Sequence, residues 1–185
     1  MKFSYELDSI GWANVSLEIN DELYDFSPSY LTNALTDFLR ALEVLIPEVT
    51  ESDEIKKVTS FSWNSEPAEH VWTLTRKNEI INLEIHEYQD GIDCEKKQMI
   101  FNQDINLEKF IKAVVSSLTI LLRKHGIVGY RKQWYSEEFP LSSYLMLMQY
   151  LADKKISITK YNVNEWNEHL RSDIESEIEL IKKHM

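Results

Sequence analysis

The block of residues 58–101 constrains the fold of this chain more than any other part. It contains three segments, VTSFSW, HVWTLT and IINLEI, in which β-branched and aromatic residues alternate with polar ones. Such alternation is typical of strands that bury one face and expose the other. Short turn-forming sequences, and no helix-length stretches, separate the segments. The block therefore predicts an antiparallel sheet built from consecutive hairpins.

The middle hairpin of this block can be aligned by collecting its apolar residues on one face. A two-residue turn at Lys77 and Asn78 places Trp72 opposite Leu83 and keeps the two faces distinct. A slip of one residue would mix polar and apolar side chains on both faces, so we expect this face assignment to hold. The following strand, predicted over residues 92–101, carries charges in its middle, as edge strands often do.

Two stretches outside the block have the spacing of amphipathic helices. In residues 28–46 and 107–125, apolar side chains recur every three or four positions and form a broad stripe. Ser27 is suited to cap the first helix and Asn106 the second, and Gly126 is suited to end the second. We expect both helices to pack on the apolar face of the sheet.

Together these patterns predict an α+β fold: an antiparallel sheet of about five or six strands, two long amphipathic helices packed on one face, and a C-terminal helical pair. The α+β core covers residues 1–126, and residues 127–185 form a helical extension packed on it. The extension contains one helix over residues 141–151 and a last helix from about residue 163. The predicted core elements are strands 2–7, 11–19, 57–63, 68–76, 79–88 and 92–101 and helices 28–46 and 107–125.

Negative charge is concentrated in the first third of the chain. The formal net charge is −11, and residues 1–55 contain twelve acidic side chains against two basic ones, Lys2 and Arg40. Such a field disfavours phosphate backbones and attracts basic partners, although it also serves solubility alone. The side chains predicted to contact a basic partner are Asp21, Glu22, Asp25, Glu48, Glu51, Asp53 and Glu54.

A pocket lined by Trp63, His70 and Trp72 is one place where the chain could bind a small ligand or carry an enzymatic activity. His70 falls on the apolar face, where a hydrogen-bonded core histidine is the more common finding. Cys94 is the only cysteine, which excludes an internal disulfide framework and a multi-cysteine zinc site.

The opposite, polar face of the sheet offers a second place for chemistry. His86 shares this face with Glu84, and the predicted register puts Glu69 across from it. A carboxylate beside an imidazole can serve acid–base or metal chemistry, but no third ligand is predictable here. We therefore expect no metal and no cofactor.

Part of the chain resembles a group of small bacterial α+β proteins. The resemblance rests on SYLTNALTDFLRA at residues 29–41, FSW at 61–63, Glu66-Pro67 and HVWTL at 70–74, and it covers about residues 11–85. It implies a strand pair and a helix that precede a sheet, and it implies no activity. In size and charge the chain is also similar to immunity proteins that neutralise toxins.

These observations predict a cytoplasmic, non-enzymatic binding protein, plausible as an immunity-type or antitoxin-like neutraliser of a basic protein. The alternative is a small-ligand binder or enzyme that uses one of the two places described above. Residues 130–135 combine aromatic and basic side chains, but the acidic chain argues against nucleic-acid binding. No apolar stretch is long enough to span a membrane. The helix over residues 141–151 is apolar nearly all round, so it is either well buried or joins copies of the chain.

Overall fold

The computed structural model describes residues 1–89, 97–135, 137–164 and 167–185. Over these residues the chain forms four helices and three antiparallel sheets, which confirms the predicted α+β class. The strands are β1 (Lys2–Leu7), β2 (Ala13–Ile19), β3 (Glu22–Phe26), β4 (Val58–Ser65), β5 (Ala68–Lys77), β6 (Ile80–Tyr88), β7 (Lys97–Asn106), β8 (Ile158–Asn164) and β9 (Asn167–Ser172). The helices are α1 (Ala34–Glu43), α2 (Leu107–Gln133), α3 (Leu141–Asp153) and α4 (Ile174–His184).

The strands do not form the single sheet of five or six that the sequence predicts. They form one sheet in the order β1-β2-β3, one in the order β4-β5-β6-β7, and the hairpin β8-β9. Strand β3 is absent from the predicted elements. It follows Asn20 and Asp21, whose positive φ angles of 50° and 67° make the two-residue turn that returns the chain along β2.

The β5–β6 hairpin keeps the predicted faces but not the predicted register. Its turn begins at Asn78, with φ 57°, and not at Lys77. Trp72 consequently lies opposite Ile85 instead of Leu83. The change amounts to two residues, and because side chains alternate with a period of two, every residue stays on its predicted face.

Helix α1 begins at Ala34, so the predicted start near residue 28 is wrong. The backbone of residues 27–33 is engaged by two strands. The Ala13 N–H donates to the Pro28 carbonyl at 3.1 Å, and the Ser29 N–H donates to the Asn64 carbonyl at 2.7 Å. These bonds hold the segment as a loop between the sheets. The helix ends at Glu43, before the predicted end at residue 46.

Helix α2 begins as predicted, since the Asn106 side chain accepts the Lys109 N–H at 3.0 Å. Gly126 interrupts the helix, with φ 66° and ψ 172°, but the chain then returns to helix as far as Gln133. The helix lies mainly along β1 and also contacts β7. The Tyr5 N–H on β1 donates to the Ser117 hydroxyl at 2.8 Å, so α2 covers the edge of the first sheet more than the face of the second.

The apolar face of the four-stranded sheet is buried, as the alternation predicts. Trp72, Leu83, Leu35 of α1 and Leu118 of α2 are all inaccessible to solvent. Strands β1–β3 complete this core from the other side, because the side chains of β3 lie over β5 and β4. The core is therefore shared by two sheets and three helices, since Tyr144 and Leu147 of α3 belong to it as well.

The C-terminal part differs from the predicted helical pair. Helix α3 packs on α1 and α2 within the chain. Residues that were expected to begin the last helix belong to the hairpin β8-β9, and α4 begins only after Asp173, whose side chain accepts the N–H groups of Glu175 and Ser176. The division into a core and an extension at residue 126 stays a prediction.

Strand β7 lies at the edge of its sheet, as predicted, and it continues to Asn106, beyond the predicted end at residue 101. The start of the predicted strand at residues 92–96, the turn-forming pair Asp90-Gly91 and the single cysteine, Cys94, lie outside the described residues.

Candidate functional site

The seven acidic side chains predicted to contact a basic partner are all exposed, but they fall into two groups. The hairpin group, on the β2–β3 turn and β3, is Asp21, Glu22 and Asp25. The loop group, after α1, is Glu48, Glu51, Asp53 and Glu54.

The two acidic groups lie beside different strands of the four-stranded sheet. In the hairpin group, Glu22 accepts a hydrogen bond from the Gln103 side chain of β7 at 2.7 Å. The loop group follows the end of α1, where the Leu45 carbonyl accepts a hydrogen bond from Arg76 near the end of β5. Strand β6 lies between β5 and β7. The acidic first third of the chain thus presents two separate negative surfaces.

The pocket proposed around Trp63, His70 and Trp72 is filled by side chains of the chain itself. Both tryptophans are completely buried and His70 is 5% exposed. The ring of Phe26 stacks on His70 at 4.9 Å and on Trp63 at 5.1 Å. A small molecule could reach these three side chains only if β3 moved away.

His70 joins the two sheets through a buried hydrogen bond. Its Nδ1 atom bonds to the hydroxyl of Tyr24, and its Nε2 atom lies 3.8 Å from Glu87 Oε2. Burial raises the pKa of Tyr24, and the charge of Glu87 raises it further, so the hydroxyl keeps its proton. Burial lowers the pKa of His70, with Glu87 opposing in part, so the imidazole is neutral in the folded chain near pH 7.

The protonation of His70 predicts a pH dependence of stability. An unfolded histidine has a pKa of about 6.5, above the lowered pKa in the folded chain, so the unfolded chain binds more protons below that pH. The stability from a neutral His70 is complete above about pH 6.5 and decreases as the pH falls below it. Urea unfolding at several pH values should show this decrease in the native chain. In a His70→Gln variant the slope between pH 7 and 5 should be smaller, and an equal slope would contradict the prediction.

On the outer face of the same sheet, His86 pairs with Glu84 and not with Glu69. His86 Nδ1 lies 3.1 Å from Glu84 Oε1, whereas Glu69 lies opposite Tyr88 in the register. Among the residues that the structure describes, no three His, Cys, Asp or Glu side chains are grouped so as to hold a metal ion.

A cluster of exposed apolar and aromatic side chains forms at the end of α2, where three segments of the chain meet. Their exposed fractions lie between 40% and 65%. The rings of Tyr30 and Tyr135 are in contact, with centroids 4.6 Å apart. We call this cluster the Tyr30–Tyr135 surface, and it consists of Ile10, Tyr30, Leu31 and Tyr135.

Backbone hydrogen bonds fix the Tyr30–Tyr135 surface. Gly11 donates to the Gln133 carbonyl at 2.8 Å, and its own carbonyl accepts the Tyr30 N–H at 2.8 Å. Gly11 has φ 77°, and a Cβ atom there would lie 2.7 Å from Tyr30 Cδ1. Tyr135 itself has φ 54°, a conformation that is unusual for a bulky residue and needs support from its surroundings. These hydrogen bonds therefore hold the backbone of Tyr30 beside the C-terminal end of α2.

The border of this surface is mostly acidic. It carries the acidic residues Asp8, Asp37, Glu137 and Glu138 against the basic residues Arg40, Arg131 and Lys132. Glu138 pairs with Arg131 at 2.8 Å, and Glu137 accepts a hydrogen bond from the Asn33 side chain at 2.8 Å. Burial raises the pKa of Asp37, while Arg40 lowers it in part and Glu137 raises it further.

Sequence reasoning did not find this surface. Tyr30 lay within a predicted helix, and Tyr135 was grouped with the buried Tyr130 and Trp134 as one basic aromatic segment. Only contacts between distant segments bring the two exposed tyrosines together. Tyr144, Leu147 and Met148 of α3 are buried within the chain, which agrees with the first of the two alternatives for this apolar helix. Association of copies through α3 stays a prediction.

Comparison with known proteins identifies no relative. No family model, no curated protein and no solved structure matches the chain. The resemblance to small bacterial α+β proteins therefore stays a prediction. Within the described ranges, no helix combines the length and the apolar character needed to cross a bilayer.

Proposed function

We propose that this protein binds another protein without catalysing a reaction and that the Tyr30–Tyr135 surface makes the central contact. The observation that carries the proposal is the pair of exposed, contacting tyrosine rings at a place where hydrogen bonds join three segments of the chain. Tyrosine is enriched among the residues that dominate binding energy at interfaces. Its side chain has few rotatable bonds, so it loses little conformational entropy on binding.

The proposed partner is basic. The border of the Tyr30–Tyr135 surface carries more acidic than basic side chains, and the hairpin and loop groups extend the negative field over two further surfaces. Such a field accelerates association with a basic protein and disfavours acidic ones. A neutraliser of a basic toxin, of the immunity or antitoxin type, fits this combination because it requires fast association and no chemistry. This proposal includes a role for the chain inside the cell.

The test uses the full chain and the purified basic proteins encoded next to its gene, with association and dissociation rates measured separately. We expect the double substitution Tyr30→Ala and Tyr135→Ala to weaken binding at least about tenfold, mainly through faster dissociation. Reversal of the charges in the hairpin group or the loop group should slow association several-fold at low salt. The effect should shrink at about 0.5 M salt, where charges are screened over a few ångströms.

Ile120→Ala is the matched control, because Ile120 is 62% exposed but lies on α2 away from the Tyr30–Tyr135 surface. It should leave both rates unchanged. Binding that tolerates the tyrosine substitutions would exclude this surface as the contact. If neither charge reversal changes the association rate, the acidic groups do not accelerate association.

A further inference from the structure

Strand β4 forms one edge of the four-stranded sheet, and its outer side faces α1. In an antiparallel sheet, the N–H and C=O groups of one residue point to the same side, and the side alternates from each residue to the next. The outer groups of an edge strand have no partner within the sheet, so other elements must cover them or leave them accessible.

Two hydrogen bonds show which residues of β4 point outward. The Lys57 carbonyl, just before the strand, accepts a hydrogen bond from β5 at 2.8 Å, so odd-numbered residues point inward. The Asn64 carbonyl accepts the Ser29 N–H at 2.7 Å on the outer side, so even-numbered residues point outward. The outward groups of Ser60 and Ser62 have no hydrogen-bond partner in the described parts of the chain. This stretch of edge is open to a further strand.

Helix α1 runs antiparallel to β4 and forms the second wall of a groove along this edge. The Ala34 carbonyl accepts a hydrogen bond from the Trp63 side chain at 2.6 Å, and the Val44 carbonyl accepts the Lys56 N–H at 2.8 Å. The groove between them has a volume of about 350 Å³. A helix beside an open strand edge is a geometry in which extended peptides bind by adding a strand.

The charges in the groove are mainly positive, in contrast to the rest of the first third of the chain. Arg40 and Lys56 line it, together with the exposed Asp37. Lys2, the other base among residues 1–55, is paired with Glu18 at 2.7 Å. In the described part of the chain, neither Arg40 nor Lys56 has an acidic side chain within ion-pair distance, and the charge of Arg40 lowers the pKa of Asp37 and of Glu43 in part from a longer range. An occupant with a negative charge would complement these two cations.

We propose that the groove between β4 and α1 binds an extended, acidic peptide segment, which adds a strand to the outer edge of β4. The N–H and C=O groups of Ser60 and Ser62 pair with the peptide backbone, and Arg40 and Lys56 contact its carboxylates. At about 3.3 Å per residue, the edge over residues 58–62 accommodates about five peptide residues. This site adjoins the border of the Tyr30–Tyr135 surface at Asp37 and takes a ligand of opposite charge to the partner proposed above.

The first step of the test is selection from a displayed library of random heptapeptides with the full chain as bait. We expect sequences that alternate β-branched with acidic residues. The best sequence is then made as a labelled peptide, and its affinity is measured by fluorescence anisotropy. Ser62→Pro removes an outward N–H, and proline is tolerated at such positions of edge strands. Both Ser62→Pro and Arg40→Glu should weaken binding at least tenfold.

Lys109→Glu makes the same change of charge at an exposed position of α2 and serves as the control for Arg40→Glu. A second control uses two versions of the peptide, N-methylated at odd or at even positions. Only one version loses the N–H groups that point to β4, so one should not bind and the other should bind normally. Selection that yields no acidic sequence would overturn the proposal, as would binding insensitive to both substitutions. A chain that is dimeric in solution and becomes monomeric with Ser62→Pro would also overturn it, because a second copy would then occupy the edge.

Discussion

Replacement of Trp63 by alanine is expected to lower the free energy of unfolding by about 3–5 kcal/mol, the cost typical of removing a buried tryptophan. The side chain is completely buried and its indole N–H donates to the Ala34 carbonyl at 2.6 Å. Its ring contacts Tyr5 of β1, Phe38 of α1 and Trp72 of β5. Because one residue joins both sheets and a helix, the substitution leaves a cavity that no single element can fill.

Urea unfolding, followed by far-ultraviolet circular dichroism, measures this loss. Ile120→Ala is the control, and at an exposed position it should change stability by less than about 0.5 kcal/mol. Trp63→Phe retains much of the ring volume but loses the hydrogen bond, so its cost should fall between the two. A loss below about 1.5 kcal/mol for Trp63→Ala would show that the core does not depend on this residue.

The position of Trp63 in the core was predictable because alternation depends on local sequence alone. Phe61, Trp63 and Trp72 share one buried face in the structure, as the pattern indicates. The predicted register of the β5–β6 hairpin was wrong by two residues, but the predicted faces were right, because a shift by an even number leaves each side chain on the same face. The sequence was therefore sufficient to predict which strand residues face the core.

Features that depend on contacts between distant segments were not accessible. The start of α1 is an example: Ser27 and Pro28 have the chemistry of a helix start, yet bonds from Ala13 and to Asn64 hold their segment as a loop. The separation into two sheets has the same origin, because β3 pairs with β2 and its side chains cross over β5. The helix and strand propensities of a local segment do not include hydrogen bonds to distant segments.

In the candidate site, too, some features follow from local sequence and others from contacts between distant segments. The seven acidic side chains are exposed, and their contact with a basic partner stays a prediction. Their separation into two groups arises because Glu22 lies against β7 whereas the loop group follows α1, and local sequence does not specify this packing. The contact between Tyr30 and Tyr135 depends on residues 105 positions apart in sequence and on one glycine that links them.

That glycine, Gly11, gives the second large prediction. Gly11→Ala should lower the free energy of unfolding by about 2–3 kcal/mol, because φ 77° is unfavourable for alanine and strain of this kind costs about 1–3 kcal/mol. In addition, the new Cβ would lie 2.7 Å from Tyr30 Cδ1, and the ring must move to admit it. Displacement of Tyr30 separates it from Tyr135. The aromatic NMR signals of both tyrosines should therefore shift, and binding to a partner should weaken with them.

Gly126→Ala separates the effect on the surface from the effect on stability. Gly126 also has a positive φ, 66°, but no atom lies within 4 Å of the position that its Cβ would take. Its substitution should thus cost a similar 1–3 kcal/mol through backbone strain alone and leave the Tyr30 and Tyr135 signals in place. If Gly11→Ala left those signals unchanged, the surface would not depend on this glycine. If both variants lost partner binding equally, stability and not the position of Tyr30 would control recognition.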